Sequence, residues 1–294
     1  MQLFKINIIF EPANLFSVKK LLFIPGMENQ LVQYKNSFIN YYRFGSGPSV
    51  AVCFHGYGED AMGFDFLAKY DGGQYSFIAI DLPFHGRTEW KEGLNFTSDD
   101  LLQILNEIPE VKNQKLTLLG FSLGGRIALS LYQTIPEQIE KMILLAPDGL
   151  KVNFWYWLST QTWIGNKLFS FTMKHPGWFF GFLKLLNKLR LVNSSVFKFV
   201  NYYIGDKAVR LLLYQRWMSL RKLKPGISLI KTFIIKYKTT VRLLYGKHDR
   251  IILPVRGEKF IKGIEDHCKL TVINSGHQVL HEKHTKEIIE ALKS

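Results

Sequence analysis

The chain has 294 residues, of which 47% are apolar and two are cysteines, and its formal net charge is +14. This length is enough for one large α/β domain with an insertion or for two ordinary domains, and the apolar content supports a packed core. Because Cys53 and Cys268 lie in or beside apolar runs, a disulfide framework and a cysteine metal cluster are excluded. We expect both to be core residues in a reducing, cytoplasmic compartment.

The excess positive charge is confined to one stretch of the chain. Residues 151–237 contain 15 Lys and Arg residues and a single acid, Asp206, which leaves 23 basic and 23 acidic residues elsewhere. This asymmetry predicts a second module with its own surface, inserted into an otherwise neutral protein.

The first 26 residues alternate between apolar and basic segments. No uninterrupted apolar run approaches the roughly 18 residues that span a membrane, and no small-residue cleavage site follows a single apolar segment. We expect residues 1–30 to form an N-terminal extension outside the fold, with Met27 as an alternative start of the functional protein. A short amphipathic membrane anchor is the other interpretation.

The folded core is predicted to begin at Leu31. LVQYK and FINYYRFG alternate like an antiparallel pair that turns at residues 35–37, and SVAVCF is a buried strand that leads into the sequence HGYG. We interpret His55 as a structural histidine that braces this loop. The next strand, FIAID, precedes a loop in which Asp81 and His85 are expected to shape the backbone rather than to catalyse.

Residues 115–132, KLTLLGFSLGGRIALSLY, contain the pattern around which the chain is organised. An apolar strand leads into Gly120-Phe121-Ser122-Leu123-Gly124, and a helix with apolar spacing follows. A G-x-S-x-G sequence between strand and helix predicts a nucleophile elbow, a tight turn that exposes the central hydroxyl at the helix N-terminus. The pentapeptide alone is a weak pattern, so the partners of Ser122 decide the interpretation.

The second half of the chain divides into a helical insertion and the end of the sheet. KMILLAP is a strand, and residues 151–237 then lose β-like alternation and carry aromatic clusters such as FWYW and WFFGF. TTVRLLYGKHDRIILP predicts a strand and a loop with Asp249, and KLTVINSGHQVLHEK predicts a last strand and a loop with His277. We therefore expect core residues 31–148 and 238–294, interrupted by a helical lid at residues 149–237.

A serine, an acid and a base, the three residue types of a nucleophilic catalytic site, each follow an apolar strand. Their order in the chain is Ser122, Asp249, His277. Doubly wound sheets place their sites at the carboxyl ends of such strands. A serine hydroxyl is a poor nucleophile until a base such as His277 removes its proton, and Asp249 would hold that ring in the right tautomer. The backbone N–H groups of Tyr57 and Leu123 are the predicted donors to an oxyanion.

Together the motifs resemble the α/β-hydrolase superfamily, in its lidded branch of esterases and monoglyceride-lipase-like serine hydrolases. HGYGED, DLPFHGRT, GFSLGG, LLYGKHDRIILP and NSGHQVLHE occur in the order of that superfamily. The resemblance implies a mostly parallel eight-stranded sheet flanked by helices, with an inserted helical lid. It also implies that a Ser-His-Asp triad cleaves a carboxylic ester with an apolar acyl group, without a metal or an organic cofactor.

Several alternatives stay open. Asp148 could replace Asp249 as the acid, and His281 or His284 could replace His277, although both lie in the expected last helix. C–C bond hydrolysis, thioester hydrolysis and a non-catalytic binding protein on this fold are other hypotheses. Haloalkane dehalogenation is disfavoured because it needs a carboxylate nucleophile.

The basic, aromatic insertion has three interpretations. It could be an ordinary lid with solvated charges, a lid that lies on an anionic membrane, or a lid over an anionic soluble substrate. Nucleic-acid binding is not expected, because no recognised motif accompanies the charge. The expected partners are therefore a small-molecule ester and, by peripheral contact, an anionic membrane.

Overall fold

A computed structural model of the chain describes residues 27–188 and 202–294. The predictions for residues 1–26 and 189–201 lie outside these residues. The chain divides into two units: the described part of the larger one consists of residues 27–151 and Lys222–Ser294, and the smaller one falls within Val152–Arg221.

One sheet of eight strands forms the centre of the described part of the larger unit. The strands are β1 (Met27–Tyr34), β2 (Ser37–Phe44), β3 (Ser49–Phe54), β4 (Tyr75–Ile80), β5 (Leu116–Phe121), β6 (Ile139–Leu145), β7 (Thr240–Gly246) and β8 (Cys268–Ile273). Their spatial order is β1-β2-β4-β3-β5-β6-β7-β8. Strand β2 pairs antiparallel with β1 and β4, and all other neighbours are parallel, which confirms the predicted fold class.

The first two strands form a hairpin with a two-residue turn. Tyr34 pairs with Ser37, and Lys35 takes the left-handed backbone conformation, with φ 53°, that this tight turn requires. The hairpin begins four residues before the predicted start of the core, because Met27 already pairs with Phe44 at the far end of β2.

Helices cover the sheet and form the insertion. In chain order they are α1 (Leu67–Tyr70), α2 (Ser98–Asn106), α3 (Leu123–Thr134), α4 (Phe154–Gln161), α5 (Trp163–Lys174), α6 (Gly177–Lys188), α7 (Lys207–Ser219), α8 (Ile227–Tyr237), α9 (Val255–Ile261) and α10 (Thr285–Lys293). Single 3-10 turns occur at Ala61–Phe64, Pro136–Gln138, Leu220–Lys222 and Glu282–His284. Sequence signals account for several helix starts; α2, for example, begins with a capping box in which Thr97 and Asp100 exchange hydrogen bonds.

The core of the larger unit lies around the central strands. Every residue of β4 and β5 is buried, as expected for parallel strands with helices on both faces. Cys53 and Cys268 are buried and unpaired, and burial raises the pKa of the Cys268 thiol to about 12. Both cysteines are therefore core residues, as the sequence predicts.

Helix α8 belongs to the larger unit. It contacts α3, and its residues Ile230 and Ile234 are fully buried. The small unit is therefore shorter than the lid predicted at residues 149–237, because residues 222–237 group with the sheet.

The small unit is a helical cluster formed by α4 to α7 in its described part. The ring of Trp217 meets those of Tyr156 and Phe169, with centroids 5.3 and 5.6 Å apart, and the Arg210 side chain donates to the carbonyl of Met173 at 2.8 Å. In the described part of the small unit, the helices thus pack on one another through aromatic side chains and not on a sheet. Among the described helices of the protein, none has the length and apolar content needed to cross a membrane.

A close passage of backbone over backbone lies between the start of α3 and the end of β3. A Cβ atom at Gly124 would be only 1.8 Å from the carbonyl oxygen of Phe54. Only glycine therefore allows α3 to begin directly beside the end of β3.

We expect Gly124→Ala to lower the free energy of unfolding by about 1–3 kcal/mol or more, because the helix must move away from a rigid strand. Gly63→Ala is the matched control, since a Cβ there would meet only a side-chain carbon of Leu280 at 3.7 Å. Urea denaturation of both variants checks this prediction. Equal stability of the two variants would contradict it.

Candidate active site

Ser122 lies at the turn between β5 and α3. Its backbone has φ 51° and ψ −113°, and such a conformation costs a residue with a side chain about 1–3 kcal/mol. Its N–H donates to the carbonyl of Leu145 at 2.9 Å, and its carbonyl accepts from the N–H groups of Gly125 at 3.0 Å and Asp148 at 2.8 Å. These bonds fix the serine at the N-terminus of α3 and offset the cost of its conformation.

The loops after β7 and β8, which contain the predicted acid and base, are joined through their backbones. The N–H of Lys247 donates to the carbonyl of Ile273 at 2.8 Å, and a Cβ atom at Gly246 would lie 1.9 Å from the carbonyl oxygen of Gly276. The two loops therefore pass side by side with no side chain between them. This contact brings residues from two strands to one edge of the sheet.

Ser122, His277 and Asp249 form a continuous chain of hydrogen bonds. The Nε2 atom of His277 is 2.9 Å from Ser122 Oγ, and its Nδ1 atom is 2.7 Å from Asp249 Oδ2. Asp249 is buried, and its other oxygen accepts from the N–H groups of Ile251 at 2.7 Å and Ile252 at 2.9 Å. A carboxylate held in this way keeps the proton of the imidazole on Nδ1, so that Nε2 is left to accept the serine proton.

The alternative acid and bases have other partners. The Oδ2 atom of Asp148 lies 3.5 Å from the Nε atom of Arg126, and its Oδ1 atom accepts a hydrogen bond from the N–H of Gly149. His281 accepts from the N–H of Lys283, and buried His284 contacts Ser275 Oγ at 2.9 Å. Among the residues that the structure describes, the geometry thus favours the acid and the base that follow β7 and β8.

Three polar residues that follow β3 and β4 hold loops together and are not part of the hydrogen-bond chain from Ser122 to Asp249. His55 is buried, contacts the carbonyl of Gly56 through Nδ1 at 2.8 Å, and accepts from the N–H of Leu82 through Nε2 at 3.1 Å. Asp81 is buried and accepts N–H groups from three segments, among them that of Ala61 at 2.7 Å. His85 contacts the carbonyl of Pro83 at 2.9 Å. These contacts tie the loops together.

The predicted oxyanion donors lie on two different elements. Leu123 is the first residue of α3, so its N–H has no acceptor within the helix. Tyr57 lies in the turn at residues 56–59, which is closed by a bond from the N–H of Glu59 to the carbonyl of Gly56 at 3.3 Å. Their role as donors stays a prediction.

Glu59 connects the turn at residues 56–59 with the loop that contains His277 and Gln278. One carboxylate oxygen accepts the N–H of Gly56 at 3.2 Å, and the other accepts from the Nε2 atom of Gln278 at 3.0 Å. Burial raises the pKa of the Glu59 carboxyl, while the hydrogen bonds from Gln278 and Gly56 and the neighbouring His277 act in the opposite direction.

Two residues beside the site are not predicted from the sequence. Glu59 bridges two loops, and the ring of Phe121 packs beside His277 with centroids 5.4 Å apart. Glu59 belongs to the motif HGYGED, and Phe121 belongs to the motif GFSLGG. Only the folded chain brings them beside the histidine.

No cluster of three or more His, Cys, Asp and Glu side chains suited to a metal ion occurs within residues 27–188 and 202–294. The chain from Ser122 through His277 to Asp249 offers a hydroxyl, an imidazole and a carboxylate in hydrogen-bond contact. Such a set can activate a serine for attack on a carbonyl group.

Two hydrolases of known sequence match the chain, one over part of its length and one over most of it. A pimeloyl-[acyl-carrier protein] methyl ester esterase of Aeromonas salmonicida is 35% identical over 104 residues, which are 35% of this chain and 39% of that esterase. The match thus spans about two fifths of the relative. An uncharacterized hydrolase of Saccharomyces cerevisiae is 23% identical over 85% of this chain and 89% of its own length.

Solved structures share the fold. An esterase of Thermogutta terrifontis superposes with a TM-score of 0.63 at 16% identity, and the match covers 91% of this chain and 98% of that one. A thioesterase domain from the curacin biosynthetic pathway gives a TM-score of 0.60 at 18% identity, with coverages of 90% and 99%.

A family model matches residues 48–284, which include the elbow, the acid loop and the histidine loop. This range is most of the chain, and it contains Ser122, Asp249 and His277. The predicted resemblance to serine hydrolases of the α/β-hydrolase superfamily is thereby confirmed. The protein belongs to the α/β-hydrolase family described as serine aminopeptidase, S33.

Proposed function

We propose that this protein is a serine hydrolase that cleaves a carboxylic ester through an acyl-enzyme. The observation that carries the proposal is the hydrogen-bond chain from Ser122 Oγ through His277 to buried Asp249, at 2.9 and 2.7 Å. The ester bond is favoured by the match to the methyl ester esterase of Aeromonas salmonicida.

The proposed reaction has two halves. Ser122 Oγ attacks the ester carbonyl while His277 Nε2 takes its proton, and the oxyanion is stabilised by the N–H groups of Tyr57 and Leu123. His277 then gives the proton to the leaving alcohol, and the acyl group stays on Ser122. Water activated by His277 attacks this acyl-enzyme, releases the carboxylic acid and restores the serine.

Other reactions use the same machinery. Thioester hydrolysis and C–C bond hydrolysis need the same nucleophile and base, and the family description names an aminopeptidase. In each of these the leaving group differs, whereas the acyl-enzyme chemistry at Ser122 is common to all. Comparison of substrates therefore distinguishes them.

We expect a fluorophosphonate probe to label the wild-type protein and not Ser122→Ala. The wild type is also expected to hydrolyse p-nitrophenyl esters, faster with longer acyl chains, and to leave aminoacyl p-nitroanilides nearly untouched. Labelling on gels and release of nitrophenol measure these outcomes. A folded wild-type protein that stays unlabelled would bring the binding-protein hypothesis forward, and preferred cleavage of the anilides would favour the aminopeptidase.

We expect Asp249→Asn to lower the rate of probe labelling and of ester hydrolysis by about 10⁴-fold, because an amide does not hold the required tautomer of His277. Asp148→Asn is the matched control and is expected to lose less than about tenfold, since Asp148 pairs with Arg126. Equal losses in both variants would refute the assignment of the acid.

We expect Glu59→Gln to separate reactivity from stability. Loss of the carboxylate loosens the bridge between the Gly56 and Gln278 loops, so the labelling rate should fall about tenfold to a hundredfold. Because burial raises the pKa of Glu59, its protonated form stabilises the fold below the unfolded value of about 4.3, and this contribution is lost as the pH rises through the folded pKa.

A neutral glutamine at position 59 is therefore expected to keep or raise the thermal midpoint at pH 7 while the labelling rate falls. Thermal melts and labelling time courses at the same pH measure the two effects. A lower midpoint with unchanged labelling would mean that Glu59 only supports the fold.

A further inference from the structure

The small unit carries an exposed apolar face on α5 and α6. We call it the α5–α6 face and define it by Ile164, Leu168 and Phe171 on α5 and Trp178, Phe182 and Leu185 on α6. These positions follow the spacing of one helical side, and Ile164 is 72% exposed, so the side chains are not packed into the unit.

The two helices present these residues as one surface. The ring of Phe171, near the end of α5, lies 6.3 Å from that of Trp178, at the start of α6, measured between centroids. The two apolar stripes therefore meet at the turn between the helices. A contiguous apolar surface of this kind marks an interaction site.

Lysines accompany the α5–α6 face. Lys167, Lys174, Lys184 and Lys188 are exposed on the same two helices, and the Lys167 ammonium lies 3.9 Å from the ring centroid of Trp163. The sequence from residue 152 to residue 205 contains no Asp or Glu. Long lysine side chains can keep their stems on apolar surface while their ammonium groups reach anionic headgroups.

We propose that the α5–α6 face docks on the surface of an anionic lipid bilayer. Aromatic and aliphatic side chains would enter the boundary between headgroups and acyl chains, while the lysines would contact lipid phosphates and carboxylates. A second copy of this chain fits the face less well, because pairing two such faces would bring their lysines together without any carboxylate. The proposal concerns membrane binding alone and does not rest on the proposed ester hydrolysis.

The experiment is flotation of full-length Ser122→Ala protein with phosphatidylcholine vesicles, with and without phosphatidylserine. Because this variant lacks the nucleophile, binding is measured apart from any hydrolysis. We expect flotation with the phosphatidylserine vesicles at low salt, and loss of flotation as the salt concentration rises.

Two pairs of substitutions test the face itself. Ile164→Asn with Phe182→Asn removes apolar side chains, and Lys167→Glu with Lys184→Glu reverses charges. We expect each pair to weaken binding to the anionic vesicles by about tenfold or more. Thermal melts verify that the variants fold.

Matched controls lie on the larger unit, which also has exposed apolar residues and lysines. The control pairs are Leu229→Asn with Ile235→Asn, on α8, and Lys112→Glu with Lys262→Glu. We expect both control pairs to bind like the parent protein.

Three results would overturn the proposal. The first is absence of flotation with anionic vesicles at low salt, as expected of an ordinary lid with solvated charges. The second is an equal loss of binding in the control pairs. The third is a dimer in solution that Ile164→Asn with Phe182→Asn converts to a monomer, which would assign the face to a second copy.

Discussion

The site depends on how closely the start of α3 passes the ends of β3 and β5. Gly124 lies so near the carbonyl of Phe54 that a methyl group would be 1.8 Å from it, and a Cβ atom at Gly120 would be 2.5 Å from the carbonyl oxygen of Gly124. This tight packing forces Ser122 into a left-handed conformation, with φ 51°, and puts its hydroxyl at a helix N-terminus. The predicted acid and base are arranged around a serine that these backbone contacts hold in place.

The other two side chains are fixed by a second backbone contact, between the loops after β7 and β8. Because these strands are parallel neighbours, their loops leave the sheet at the same edge as the elbow. Two N–H groups orient the Asp249 carboxylate, which in turn orients the imidazole of His277. Glu59 links this edge of the sheet to the loop before the 3-10 turn at Ala61–Phe64, because its carboxylate accepts from the N–H of Gly56, beside Tyr57, and from the side chain of Gln278, beside His277.

The sequence was sufficient to predict the sheet and the three residues that the structure brings together. Each of the three follows an apolar strand in a short motif, so local pattern and chain order carry the information. Glu59 could not be predicted in the same way, because its contact with Gln278 joins residues 219 positions apart. The predicted insertion at residues 149–237 includes α8, because α8, like α5 to α7 before it, has no acid and carries lysines, whereas its place in the larger unit follows from long-range packing such as the burial of Ile230 and Ile234. The roles of Tyr57 and Leu123 stay predictions.

The central claim is that Ser122 carries the acyl group between the two halves of the reaction. The most direct measurement is mass spectrometry of peptides after rapid acid quenching of the protein during turnover of a p-nitrophenyl ester. The account predicts an added acyl mass on the peptide that contains Ser122, present during turnover and absent after the substrate is consumed. Turnover without any acylated peptide, or an acyl group on another side chain, would contradict it.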